Sequence, residues 1–446
     1  MADILHIIRR EAGLPAVLGS AQMAGVAFGA VISYGLVSGG VLPLMLAGPV
    51  VAMVGYVAAA CLVLLLMYCL ADMAVTHPVP SAFGAYAEAY IGLRMGIVVR
   101  VAYFSAVVCI VGTEVVLLEP LFGFWLAPLP GWMVVVLLLI GLGAINGLGA
   151  LASARFGLSL AVLKVIALIA LVALAVYQAP LAGEAEIGIG DTVWPDIWAD
   201  VPLPSLWQAF VVAVLGYIGI ETMAVAAAET AAPAAVLRRS MRRATWGVLI
   251  LVLCAVAASG WIQAQHFVPF NVPPFVYLLG LTGVPAVNTV FNVLMLLAVV
   301  SVLNSQIYAG SRQLFGLSRA GRAPAVLARP WSRSASGSVA CTVLLPILIY
   351  LAYEAFPTQV YIGATSIAVT ALLAVWMAIF ASHVGFRRQA GGRSWQGVVG
   401  VVLVLAIAAS TLQIDVFGVA LMVGLPFLIF IFMAEFVFGL FFANPK

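Results

Sequence analysis

Apolar residues run along this chain in stretches long enough to cross a hydrocarbon layer of about 30 Å, which takes about 20 helical residues. Broken at Gly, Pro or charged positions, the runs predict about twelve spans: roughly 20–42, 46–72, 93–120, 130–150, 154–178, 205–229, 244–263, 285–314, 337–354, 359–382, 396–411 and 416–441. The last two are separated only by Leu412, Gln413, Ile414 and Asp415, so eleven is the competing count. The runs are continuous rather than alternating, which excludes the strands of a membrane β-barrel. Two longer polar stretches lie between spans, an acidic one at 179–204 and a basic, Ser-rich one at 316–336. The pattern predicts an all-α polytopic membrane protein with no soluble domain.

Two spans are interrupted. The sixth carries Gly216, Gly219, Glu221 and Glu229 in or at the end of its apolar run. The first carries Gly25, Gly29, Gly35, Gly39 and Gly40, with Ser33 and Tyr34 at its middle. For Gly25 and Gly29 alone, close helix packing is the simpler account. Broken spans in matching positions of two halves point to a transporter built from a repeat, with its site at the breaks. A repeat of five spans is odd, so the two halves must run in opposite directions across the membrane.

Composition supports this class. Of 446 residues, 65% are hydrophobic and 8% charged, against roughly 25% charged in soluble domains. The five cysteines and four histidines are scattered without metal-ligand spacing, so neither a metal nor a cofactor is expected. No nucleophile elbow or His/Asp/Glu cluster suggests an enzyme. A channel is disfavoured because no span shows a repeated polar stripe. Nothing predicts a nucleic-acid partner. The N-terminal residues 1–13 lack the layout of a cleaved signal peptide and predict a short interfacial helix.

All 19 Lys and Arg fall in alternate loops or just inside the adjoining spans, apart from Lys164. Positive loops stay in the cytoplasm, which predicts a multi-pass protein of the cytoplasmic membrane with both termini inside. The acidic loop 179–204, with no Lys or Arg, is then outside. Arg238, Arg239, Arg242 and Arg243 read as a positive-inside anchor, with an anionic-lipid contact as the alternative.

Ionisable residues at membrane depth are expensive and mark candidate sites. Lys164 lies nine residues past Arg155, about 13 Å along a helix, too deep for easy snorkelling. Burial disfavours an ammonium, so this amine can exchange a proton where an arginine could not. Glu221 lies just past the sixth-span break and is a gating or substrate-binding candidate, against a protonated packing residue. Glu114 is either gating or proton-linked, or a plain buried, hydrogen-bonded carboxylate. Asp72 and Glu119 read as interface charges, and Glu435 as a packing or dimer-contact residue.

The chain resembles the amino acid–polyamine–organocation superfamily, and most closely its bacterial amino acid transporter branch, from about residue 20 to 390. Ile32-Ser33-Tyr34-Gly35-Leu36 stands where the family has Ile-Gly-Thr-Gly-Leu. The stretch from Pro78 to Phe83 is similar to the loop after span 2, and Lys164 to the span-5 lysine. Tyr217 to Glu221, with Glu229 and Pro233 beyond, is similar to the span-6 motif. The stretch Ser301–Ser318, followed by Ala323 and Pro324, closely matches span 8. The resemblance implies the leucine-transporter fold, a 5+5 inverted repeat with two added helices. Its parts would be an N-terminus (1–17), a first repeat (18–178), an external loop (179–204), a second repeat (205–382) and a terminal pair (383–446). It also implies proton- or cation-coupled uptake (symport) of amino acids. Substrate would be held by Ile32, Ser33, Tyr34, Gly35, Tyr217, Gly219 and Ile220. Lys164 would contact carbonyls near Gly29 to Ile32 and the hydroxyl of Ser301 or Ser305, coupling transport to protons. Partners would be an amino acid or amine, the proton and membrane lipids, with the oligomeric state open. One departure stands out: Ser33-Tyr34 replaces Gly-Thr. It leaves open a smaller amino acid, a decarboxylated amine or an organic cation, and an exchanger. A non-transporting sensor on the same fold is a further alternative.

Overall fold

The computed structural model describes residues 4–33, 36, 41–126, 129–178, 203–265, 274–281, 286–329, 335–413 and 418–442. Tyr34, Gly35 and most of the 179–204 loop, all named above, lie outside the described residues. Within them the chain is helical, with a single isolated bridge between Leu18 and Thr230.

Apolar runs fold as helices because in lipid each backbone N–H and C=O must be satisfied within its own segment. The helices are α1 (Ile4–Arg10), α2 (Ser20–Val31), α3 (Val41–Thr76), α4 (Ala82–Tyr90), α5 (Leu93–Glu114) and α6 (Leu118–Leu126). Next come α7 (Gly131–Gly147), α8 (Ala150–Gln178), α9 (Leu203–Leu215), α10 (Thr222–Ala227), α11 (Ala234–Gln265) and α12 (Pro274–Leu281). The chain closes with α13 (Val287–Arg319), α14 (Ser336–Ala355), α15 (Pro357–Gln389), α16 (Trp395–Ser410) and α17 (Gly418–Phe442). Among the described residues eight helices are long and apolar enough to span, and four shorter apolar ones are α2, α7, α9 and α16.

Two glycines set the breaks. In α3, Gly48 takes φ 76° directly before Pro49, which has no N–H to give, so the helix kinks there. Between α9 and α10, residues 216–221 form turns, and Gly219 takes φ 106°. A Cβ at Gly219 would lie 2.9 Å from the Ala30 Cβ and 3.0 Å from its carbonyl oxygen. Glycine therefore lets the two interrupted segments touch backbone to backbone. The first stops at Ile32, whose ψ of 83° is not helical.

The helices pack in two sets. α3 packs against α9 and α11; α5 packs against α13, α14 and α15. α2 touches α8, α11 and α13, and so stands between them.

Candidate functional site

Lys164 reaches from α8 to the C-terminal end of α2. Its Nζ donates to the carbonyl oxygens of Ile32 (2.7 Å), Gly29 (3.0 Å) and Phe28 (3.4 Å). The last carbonyls of a helix have no intrahelical partner and carry partial negative charge. A cation is at home there, and Lys164 is 2% exposed. The expected carbonyl contacts are present and extend to Phe28. The expected serine contact is not: the buried hydroxyls of Ser301 and Ser305 have no hydrogen-bond partner. They flank the same junction, since a Cβ at Gly29 would sit 2.5 Å from Ser305 Oγ and 3.2 Å from Ser301 Oγ. The short Lys164–Ile32 bond leaves those hydroxyls to the side.

Glu221 is fully buried just past Gly219. Its Oε2 accepts from the Gly219 N–H (3.0 Å) and from Trp376 Nε1 on α15 (3.3 Å). The Tyr103 hydroxyl of α5 lies beside this carboxylate without completing a bond to Oε1. Tyr103 and Trp376 escaped the sequence reading. A lone Trp inside an apolar span was the available signal for the second.

The other named residues are placed as follows. Ile32, Tyr217 and Ile220 are fully buried, and Ser33 is half-buried. The Tyr217 hydroxyl donates to the Tyr56 carbonyl on α3 at 3.4 Å, which turns that ring toward α3. Glu114 ends α5 and is half-buried. Its buried Oε2 has no partner. No contact joins Glu114 to Lys164 or Glu221 among the described residues.

Three charges at the ends of spans are buried against partners that the sequence does not reveal. Arg312, counted among the residues at the end of span 8, is fully buried inside α13. Its guanidinium clasps Glu229, with Nε to Oε1 at 2.8 Å and Nη2 to Oε2 at 3.2 Å, and Tyr308 also donates to Oε1 at 3.0 Å. Arg100, read as a boundary charge of span 3, is fully buried between Glu11 (2.6 Å) and Glu88 (2.9 Å). Asp72, read as an interface charge, is 6% exposed and holds Arg387 (2.8 Å), Arg238 (3.2 Å) and His383 (3.3 Å). In each case a tertiary partner offsets the burial cost, and hydropathy along the chain cannot register a partner. Glu435 contacts Arg322 at 3.5 Å, a packing role within the chain.

The N-terminal segment closes onto this layer. Arg10 donates to both Glu88 oxygens at 2.8 and 2.7 Å. Arg319 donates to the carbonyls of Arg10 and Ala12, each at 2.7 Å. The N–H groups of Val17 and Leu18 donate to the Glu229 carbonyl at 2.9 and 2.8 Å.

Residues 22–444 match the model of the family described as amino acid permease. The chain belongs to this family. It is an amino acid transporter of the amino acid–polyamine–organocation superfamily, and its relatives are permeases, not enzymes. Amino-acid permease RocC of Bacillus subtilis is 27% identical over 82% of this chain and 79% of its own length. The aromatic amino acid transport protein AroP of Escherichia coli K12 is 26% identical over 84% and 81%. The gamma-aminobutyric acid permease of E. coli K12 is 29% identical over 67% and 65%. A manganese transporter of Eremococcus coleocola superposes on this permease with TM-score 0.58 at 12% identity, over 95% of this chain and 96% of that one. A Na+-coupled sialic acid symporter superposes with TM-score 0.55 at 12% identity, over 91% and 93%. At such identities the shared property is the fold.

Proposed function

We propose that this permease takes up an amino acid or a related amine across the cytoplasmic membrane by alternating access, with Lys164 coupling uptake to the proton. The observation that carries the reading is a buried amine, held by three helix-end carbonyls, at the break of α2. Protonated, the amine ties α8 to α2; deprotonated, it loses its charge and one of its three N–H donors, and the junction loosens. The serines at 301 and 305 border the same point and complete the coupling region.

The four short apolar helices bring the spans to twelve, arranged as a 5+5 inverted repeat (18–178 and 205–382) plus a terminal pair, with both termini cytoplasmic. The first and sixth spans meet at Ala30 and Gly219, so substrate sits between Ile32–Gly35 and Tyr217–Ile220. Glu221 acts in gating or substrate binding there, and Glu114 is the second proton-linked candidate. α3 with α9 and α11, and α5 with α13 to α15, are the two bodies that move against each other. Relatives named for aromatic amino acids and gamma-aminobutyric acid support an amino acid as the substrate class.

Proteoliposomes test this directly. With an inward proton gradient and a panel of radiolabelled amino acids and polyamines, the wild-type permease should accumulate substrate. Lys164→Gln should still exchange substrate but no longer accumulate it. Accumulation that stays pH-dependent in that variant would move the coupling role to Glu114.

A further inference from the structure

The arginines of this permease differ in what their side chains face. Arg10, Arg100, Arg238, Arg312, Arg319, Arg322 and Arg387 are drawn onto carboxylates or carbonyls of the chain. Among the described residues, Arg155, Arg239, Arg242 and Arg243 are exposed with no such partner, as are Arg9, Arg388 and Arg393 elsewhere. The last three lie on α11 within five residues, and Arg238 beside them turns instead to Asp72 at 3.2 Å.

The fold brings Arg155 to the same place. On one side of α2, a Cβ at Gly25 would lie 2.9 Å from the Leu158 backbone of α8. About 60° round the same helix, a Cβ at Gly247 of α11 would lie 2.9 Å from the Phe28 ring. Arg155 is one turn before Leu158, and Arg243 about one turn before Gly247. The two arginines therefore stand on neighbouring helices that pack against each other beside the first turns of α2, at heights that differ by about 3 Å.

The face of α11 that continues from them is apolar and outward. Trp246 is 49% and Ile250 55% exposed, and Cys254, Ala257 and Trp261 follow at helical spacing. Cys254 is the near lip of an apolar cavity of about 430 Å³ between α8 and α11, lined by Val172, Ala175, Val176, Ala257, Ala258 and Trp261 as well. From Arg243 to Cys254 is about 16 Å along the helix, half of a core about 30 Å thick. One leaflet's acyl chain covers that distance.

We propose that Arg155, Arg239, Arg242 and Arg243 form a binding site for one anionic glycerophospholipid. Its phosphate sits among the guanidinium groups, and an acyl chain follows Trp246 and Ile250 to the cavity at Cys254. The charge selects an anionic headgroup, Trp marks the interfacial depth, and the apolar stripe excludes a free soluble anion. The proposal depends on the transport reading only for the leaflet, which would be the cytoplasmic one.

Native mass spectrometry of the full chain in mild detergent tests it, with phosphatidylglycerol, phosphatidylcholine and glycerol 3-phosphate as probes. Phosphatidylglycerol should bind in preference to phosphatidylcholine, and glycerol 3-phosphate should not compete. Each arginine replaced by glutamine should weaken phosphatidylglycerol about fivefold. R155Q/R239Q/R242Q/R243Q should abolish the preference, and Trp246→Ala should weaken both lipids. A control variant, R9Q/R388Q/R393Q, removes three exposed arginines elsewhere and should retain the preference. R239Q and R243Q singly give the same reading if the fourfold variant does not fold. Equal loss in the control variant, an unchanged preference in the site variants, or full competition by glycerol 3-phosphate would overturn the proposal.

Discussion

Two layers of this permease handle buried charge in opposite ways. At the breaks of the first and sixth spans, ionisable side chains stand without a counter-ion in contact among the described residues. Lys164 rests on three carbonyls, and Glu221 on one N–H and an indole. In the layer formed by the N-terminal segment and the ends of α3, α5, α13 and α15, charges are matched. Glu229 has Arg312; Glu11 and Glu88 share Arg100; Asp72 has Arg238, His383 and Arg387. Breaking a buried pair leaves an uncompensated charge and is strongly destabilising. Burial disfavours the charged form of a group that has no counter-ion, and the proposed function uses this to let its protonation change during a cycle. Under the proposed function, the matched layer holds structure and the unmatched layer carries the coupling.

Substitutions separate the two. The largest loss of stability is expected for Arg312→Ala, which leaves Glu229 buried and alone. About 3–5 kcal/mol should be lost, read as a fall in the thermal unfolding midpoint of the purified protein. Arg312→Ala within 1 kcal/mol of wild type would mean that water reaches Glu229 and the pair is not structural.

Gly219→Ala comes next. An alanine must take φ 106° and bring its Cβ to 2.9 Å from Ala30, and strained backbone of this kind costs about 1–3 kcal/mol. Substrate binding should fall with it, because the contact of the two breaks would open. Unfolding midpoint and substrate affinity both unchanged would show that the junction is more pliable than its geometry.

Lys164→Gln should change stability by no more than about 1 kcal/mol, since an amide keeps part of the hydrogen bonding and ends the desolvation cost. The same variant should lose gradient-driven accumulation. A stability loss as large as that of Arg312→Ala would place Lys164 with the structural charges and erase the contrast.

The smallest effect is a pH dependence outside the spans. Burial alone would raise the Glu88 carboxyl, but the hydrogen bond from Arg10 and the charges of Arg100 and Arg10 outweigh it and hold it below its ordinary 4.5. The folded value being the lower one, this contribution is complete above that pH and is lost as pH falls below it. Unfolding midpoints measured from pH 6 downward should drop through that range. Arg10→Gln should flatten the drop, and an unaltered slope would assign the acid sensitivity to another carboxylate.

How far the sequence reached follows from what each signal records. The positions of most spans, the glycine break at Gly219 and Lys164 with the carbonyls of Gly29 and Ile32 were all legible. They rest on local run length, on backbone freedom at glycine, and on a family motif that keeps those residues in register. The span-8 serines were legible as neighbours of α2 but not as hydroxyls left without a bond. Glu229 is visible as a motif residue, and Arg312 as a charge at the end of span 8, but nothing in the sequence pairs them. A charged residue inside a helix of spanning length was the signal that went unused there.

Length, hydropathy and charge order by themselves determined that this chain is a helical membrane protein, broken in two places, with a lysine at depth. These are properties of a segment in its solvent, and no distant contact is needed to fix them. Only the tertiary structure decided which buried charges are paired, that Trp376 and Tyr103 attend Glu221, and that the N-terminal segment joins the Arg100 cluster. Those facts depend on residues far apart in the chain, Glu11 with Arg100 and Glu229 with Arg312. The burial cost of each charge is set by its partner across the fold rather than by its neighbours in sequence.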